Sequence, residues 1–188
     1  MGQIILDGVE IDEGGQYDTE NSALNILRAV NPEKQIIQNS AFRNCKSYCI
    51  DVKDSENIDI INNVLYLARL GHVRAVGLKN YSFTTNLMIA AIKRPTTSAK
   101  DLISCYLSYE KVDSTVTVLN NACQGSDLHG FALGFSDCSD GFYPYVNNTA
   151  SSAPACFIFN KVSGNCMSAK NVRAFACGIG QISSPPGT

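Results

Sequence analysis

The residues of this chain best suited to chemistry are two histidines and a handful of carboxylates. A general acid or base needs a group that titrates near the working pH with a partner in reach. His72 and His129 lie in segments that echo each other, Gly71-His72-Val73-Arg74-Ala75-Val76-Gly77-Leu78 and Leu128-His129-Gly130-Phe131-Ala132-Leu133-Gly134-Phe135. Both are therefore expected to project the same way from equivalent turns of a repeat. No acid follows His72, where the chain runs Val76-Gly77-Leu78-Lys79, so a structural role capping a turn is expected for it. Asp51, Asp54 and Asp59 fall within one repeat, and Asp137 and Asp140 flank Cys138. Calcium needs about six to eight converging oxygens, and glycoside hydrolysis needs two facing carboxylates. Alternation puts Asp51 and Asp59 on the outside of different strands. They read as solvated outer-face charges, and no catalytic, metal or cofactor site is assigned.

The eight cysteines lack the Cys-x-x-Cys spacing of zinc sites and suit disulfides on the oxidising side of a membrane. Cys156 and Cys177 stand 21 residues apart, close to one repeat, and Cys138 and Cys166 stand 28 apart. Cys45 with Cys49 would close a turn, and Cys105 with Cys123 would tie down an insertion. Spacing alone does not choose the connectivity, and unpaired cysteines filling an interior column remain the alternative. Two sequons, Asn80-Tyr81-Ser82 and Asn147-Asn148-Thr149, offer Asn80 and Asn147 as glycosylation sites if the chain is exported. Tyr143 and Tyr145 are the aromatics considered for stacking on sugars.

A repeat must position all of these. Asn followed by small or apolar residues recurs at Asn39, Asn63, Asn86, Asn121, Asn148 and Asn171, with spacings of 24, 23, 35, 27 and 23. The long step matches a polar insertion near residues 93–104, and Ile60-Ile61-Asn62-Asn63-Val64 returns as Val118-Leu119-Asn120-Asn121-Ala122. Within a period, apolar and polar residues alternate, as in Asn57-Ile58-Asp59-Ile60, and Asn, Asp, Ser and Gly punctuate short runs. The one helix-like window, Thr19 to Val30, is read as a strand region because Leu24 and Ile26 alternate around Asn25. Short strands, polar corners and a period near 24 predict an all-β, right-handed, single-stranded parallel β-helix over residues 1–182. Seven to eight coils stacked about 4.8 Å apart give a rod of roughly 35–40 Å, with the six Asn forming a corner ladder. Residues 183–188 read as a linker tail.

Composition narrows the rest. A formal net charge of −2 and a pI near 5.6 argue against nucleic acid as a partner. The most apolar stretch, Ile58 to Leu70, is broken by Asp59, Asn62, Asn63 and Arg69, so no membrane span is expected.

Several segments carry a family resemblance: Asp7-Gly8-Val9-Glu10-Ile11 with Gly15-Gln16, Asn62-Asn63-Val64 leading to Gly71-His72, Asn121, Asn148-Thr149-Ala150, Cys166, and Ala174-Phe175-Ala176-Cys177-Gly178-Ile179-Gly180. Together they resemble the β-helical region of fibrocystin and fibrocystin-like proteins. The resemblance runs over nearly the whole chain and extends more distantly to the β-helical cell-surface hyaluronidases. It implies a β-helix in a very large surface protein of cilia or stereocilia. In the hyaluronidase-like relatives, His-rich segments and a following acidic stretch form the active surface. The corresponding stretch here, Ser22-Ala23-Leu24-Asn25-Ile26, has no His. The expectation is thus a non-enzymatic, glycosylated extracellular module, a fragment of a larger protein. Its ends would meet further coils of the parent chain or identical subunits stacked into a fibre, and its surface would meet extracellular glycans or proteins. The alternative is a carbohydrate-active β-helix enzyme or a carbohydrate-binding module.

Overall fold

The computed structural model describes residues 3–17, 19, 21–93, 103–110, 115–135, 143–160 and 167–178. Every regular element among them is a strand, and the strands wind into three parallel sheets. Face A holds β1 (Ile5–Asp7), β4 (Gln35–Gln38), β7 (Glu56–Ile61), β10 (Lys79–Thr84), β13 (Val116–Leu119), β16 (Tyr143–Val146) and β19 (Met167–Lys170). Face B holds β2 (Glu10–Asp12), β5 (Ala41–Cys45), β8 (Val64–Ala68), β11 (Leu87–Ala91), β14 (Ala122–Ser126), β17 (Thr149–Ser151) and β20 (Arg173–Phe175). Face C holds β3 (Leu24–Leu27), β6 (Tyr48–Lys53), β9 (Gly71–Val76), β12 (Ser104–Glu110), β15 (His129–Phe135) and β18 (Ala155–Asn160). Each strand pairs with the strand three places on, so the chain is a parallel β-solenoid.

The described residues complete six three-strand turns and begin a seventh, fewer than the seven to eight expected from a uniform period. Insertions account for the difference. The tightest turns advance 23 residues (Ala41↔Val64, Val64↔Leu87), whereas the first advances 31 (Glu10↔Ala41) and the fourth 35 (Leu87↔Ala122). Most of the residues added to the fourth turn fall between Ala91 and Ser104; residues 94–102 lie outside the described residues, as do 183–188. Six inter-rung spacings of about 4.8 Å give a rod of roughly 30 Å.

The chain turns each corner through residues in the left-handed backbone region. Between faces A and B these are Gly8, Asn39, Asn62, Thr85, Asn120, Asn147 and Asn171, with φ from 50° to 66°. Between faces B and C they are Glu13, Asn44, Leu67, Ala90, Gly125, Ser152 and Ala176. Between faces C and A, Arg28, Asp54 and Gly77 do the same. Asn and Gly occupy this conformation most cheaply, and the A–B corner uses them at six of seven rungs. The B–C corner forces Leu67 and Ala90 into it, at a local cost of about 1 kcal/mol each.

Stacking in register gives a core of columns. On face A, Ile37, Ile60, Phe83, Val118 and Tyr145 lie one above another, and on face B Phe42, Leu65, Met88, Cys123 and Ala150 do so. All ten are buried. Apart from Phe42 and Tyr48, the early turns are filled by aliphatic side chains. From the fourth turn onward aromatics take over: Phe83 stacks on Tyr106 at 4.7 Å, and Phe131 on Phe157 at 5.4 Å between ring centroids. Such offset stacks add about 1 kcal/mol per pair beyond area burial.

Candidate functional site

Two amide ladders run side by side along the A–B corner, and they separate the six Asn singled out by their spacing. The inner ladder comprises Asn63, Asn86, Asn121 and Asn148, all buried. Asn63 Nδ2 donates to Asn86 Oδ1 at 3.0 Å, Asn86 Nδ2 to Asn121 Oδ1 at 3.1 Å, and Asn121 Nδ2 to Asn148 Oδ1 at 3.0 Å. Each Oδ1 also accepts the backbone N–H one rung earlier, and each Nδ2 also donates to a carbonyl of the preceding turn. Ser40 begins the column: its N–H donates to Asn63 Oδ1 at 3.0 Å, and its hydroxyl accepts from Val9 N–H.

Asn39 and Asn171 do not belong to this ladder. They sit one residue earlier on their rungs, with Asn62, Asn120 and Asn147, in the exposed left-handed column. There Asn62 Nδ2 reaches Asn39 Oδ1 at 2.8 Å, Asn147 Nδ2 reaches Asn120 Oδ1 at 3.0 Å, and Asn39 Nδ2 reaches Asp7 Oδ1 at 2.8 Å. The amides of Asn39 and Gln38 hold the Asp7 carboxyl below its ordinary value. A one-residue step on a strand reverses the side a side chain faces, which is why neighbouring Asn form one dry and one wet ladder.

Both sequon residues are exposed and in left-handed backbone, Asn147 on this outer ladder and Asn80 as the second residue of β10, at φ 51°. Asn80 sits at a position that the β7–β10 pairing skips, between Lys79 and Tyr81. Its Nδ2 donates to Asn57 Oδ1 at 3.1 Å. Beside the outer ladder lies an open hollow. Gly8, Val9, Glu10, Asn39, Ala41 and Val64 line it over the first turns, and a separate open hollow farther along the corner is lined by Asn147, Thr149, Asn171 and Arg173. Face B exposes Val64, Tyr66 and Leu87. These apolar residues were not singled out by sequence. Their signal was available as the outward members of alternating runs, which a polar-out rule discounts.

At the B–C corner the pairing register skips one position on each rung, between Tyr48 and Ile50, Gly71 and Val73, Ser104 and Tyr106, and His129 and Phe131. The skipped positions are Cys49, His72, Cys105 and Gly130, with Cys156 next. This column carries the disulfides. Cys49 bonds Cys45 across the corner of its own turn, with Cα atoms 5.2 Å apart. Cys105 bonds Cys123 on face B of the following turn at 6.0 Å, and Cys156 bonds Cys177 likewise at 5.8 Å. All six described cysteines are therefore paired. The Cys156–Cys177 bond joins the start of one face to the end of another, not two equivalent positions. Cys138 and Cys166 lie outside the described residues, as do Asp137 and Asp140.

His72 sits in this column between the rungs of Cys49 and Cys105. It is fully buried, and its Nε2 lies 2.9 Å from the Ile89 carbonyl oxygen. Burial pushes its pKa down to about 4, so the ring is a neutral donor at physiological pH. His129 is not its counterpart. It registers with Ser104 and Gly71, one position earlier, and His72 registers with Cys105 and Gly130. Burial lowers the His129 pKa as well. The two histidines do not share a projection, and among the described residues neither meets a carboxylate in a hydrogen bond or ion pair.

The carboxylates are held apart. Asp51, on face C, receives Arg74 Nε at 2.9 Å on Oδ1 and Arg74 Nη2 at 2.5 Å on Oδ2, and the guanidinium lies over the Tyr48 ring. Its side chain is only 3% exposed, so the expectation of a solvated charge gives way to a buried, bidentate pair. Asp59, on face A, takes Lys34 Nζ at 2.6 Å, and Asp54 turns the C–A corner. Among the described residues, no three His, Cys, Asp or Glu side chains gather to hold a metal ion. No described helix is long and apolar enough to cross a membrane. Tyr145 is 2% exposed and packs against Phe131 and Phe157, so it offers no face to a sugar; the Tyr143 side chain lies outside the described residues. The chain matches no known family model and no curated protein.

Proposed function

We propose that this chain is a non-enzymatic structural and interaction module of an extracellular or cell-surface glycoprotein, a rigid disulfide-stapled rod of the kind found in the fibrocystin-like proteins it resembles. One observation carries the reading: the six described cysteines form three disulfides packed within the solenoid, a use of thiols that belongs to oxidising compartments. The two sequon residues lie exposed, where a glycan can be carried. His72, Asp51 and Asp59 are spent on holding rungs together, so the groups most suited to acid–base work serve the scaffold. A carbohydrate-binding role is the second reading, favoured by the outer amides of Asn39 and Asn62 beside exposed Val64 in the hollow at the A–B corner.

Directing the chain into the secretory pathway tests the main reading. Secreted protein carrying N-glycan is expected, with one glycan lost in Asn80→Gln and one in Asn147→Gln. Retention of an unglycosylated chain, alongside full folding in a reducing cytosol, overturns it.

A further inference from the structure

The rod is polar along its axis in a way that fits a second copy of itself. At one end of faces A and B lie β1 and β2, and at the other β19 and β20, each paired on a single side among the described residues. The first edge carries Asp7, Glu10, Asp12 and Glu13, and the last carries Lys170 and Arg173, all six exposed. Within the rod, rungs match residue for residue: Asp7 leads through Gln38, Ile61, Thr84, Leu119 and Val146 to Lys170. Glu10 leads through Ala41, Val64, Leu87, Ala122 and Thr149 to Arg173.

We propose that the seventh turn of one molecule docks on the first turn of another in this same register, so that faces A and B run on unbroken from copy to copy. The proposal rests on the module reading above and names its partner. Continuing the register places Lys170 beside Asp7 and Arg173 beside Glu10. It also sets Ala169 on Leu6, Val172 on Val9 and Ala174 on Ile11, extending the interior columns, and Asn171 on Gly8, extending the outer corner. No like charges meet at these positions. The two edges also supply complementary backbone donors and acceptors, which an open parallel edge otherwise leaves to water. Since the two ends are different surfaces, the contact is head-to-tail and generates a filament rather than a closed dimer.

Charge reversal with the disulfide-bonded 188-residue chain tests this, by sedimentation velocity over a concentration series with electron microscopy of the products. Wild type should elongate with concentration and shorten in high salt. Lys170→Glu with Arg173→Glu, on exposed side chains, should raise the concentration of half-assembly about ten- to a hundred-fold. Asp7→Lys with Glu10→Arg should do the same. A mixture of the two variants pairs opposite ends again and should assemble as strictly alternating filaments. Wild type that stays monomeric overturns the proposal, as do charge variants that assemble like wild type. Should the first-turn variant fail to fold, the seventh-turn variant alone decides. A glycosylated, fully disulfide-bonded chain that stays monomeric sinks the stacking and leaves the module reading intact; an exported chain with free thiols and no glycan strikes the module reading, whatever its assembly.

Discussion

Replacing Asn86 by Ala should be among the costliest single changes to this fold, out of proportion to the three heavy atoms removed. Four hydrogen bonds go: from Asn63 N–H and Asn63 Nδ2 to Asn86 Oδ1, both 3.0 Å, and from Asn86 Nδ2 to the Ile60 carbonyl at 3.0 Å and to Asn121 Oδ1 at 3.1 Å. The buried Asn63 N–H then has no acceptor, which costs about 2 kcal/mol. Asn63 Nδ2 keeps the Ile37 carbonyl, and Asn121 Oδ1 keeps the Asn86 N–H. At about 0.7 kcal/mol for each of the three other bonds, the total is about 4 kcal/mol. Asn86→Asp keeps the shape and the acceptor but cannot donate while ionised, so it too should destabilise. Burial raises that carboxyl's pKa, so its deficit should grow as pH rises past about 4 and shrink in acid. Asn120→Gly is the control: it keeps the left-handed corner and loses only the exposed bond from Asn147, so it should stay within about 0.5 kcal/mol of wild type. Guanidinium unfolding with disulfides intact measures all three. Equal stabilities for Asn86→Ala and Asn120→Gly, or a cost below about 1 kcal/mol for Asn86→Ala, would refute the assignment of a dry inner and a wet outer ladder.

Other outcomes follow from the same geometry. His72, with an ordinary pKa of 6.5 lowered to about 4, binds its proton more readily when unfolded. Stability should therefore be full above pH 6.5 and fall between pH 6.5 and 4, by about 3 kcal/mol in all, and a non-titrating His72→Gln variant should show a shallower fall in pH-dependent unfolding. Gly125→Ala should cost about 1 kcal/mol from backbone conformation alone, since the added Cβ meets nothing nearer than 3.9 Å, whereas Gly71→Ala would drive a Cβ to 2.5 Å from the Ser104 carbonyl oxygen and should cost more in the same assay. Removing the Cys105–Cys123 bond, which closes 18 residues, should cost about 3 kcal/mol, against about 2 for Cys45–Cys49, which closes 4, as read from denaturation of the double Ala variants. Hyaluronan and polygalacturonate should remain uncleaved after prolonged incubation with the secreted chain.

The period and the alternation were legible because stacked rungs impose the same demands on residues about two dozen apart. What the sequence hid was a matter of single residues. Paired Asn at 62–63, 120–121 and 147–148 mark an outer corner followed by an inner rung, but an isolated Asn is ambiguous. Asn39 before Ser40 and Asn171 before Val172 take the outer place, while Asn86 after Thr85 takes the inner one. Gly71-His72 and His129-Gly130 look alike in composition, yet the register sets Gly71 against His129. The burial of Asp51 depends on Arg74, its neighbour one rung on, and a long-range partner of this kind leaves no local trace. The Cys156–Cys177 pairing was legible from its 21-residue spacing, but the placement of its halves on different faces was not.

Peptide mapping of the secreted chain under non-reducing conditions puts the central claim at most direct risk, because it reads fold register and compartment together. The account predicts Cys45 linked to Cys49, Cys105 to Cys123 and Cys156 to Cys177, in a chain glycosylated at Asn80 and Asn147. Free thiols at these six positions, or a different connectivity in folded secreted protein, would contradict it.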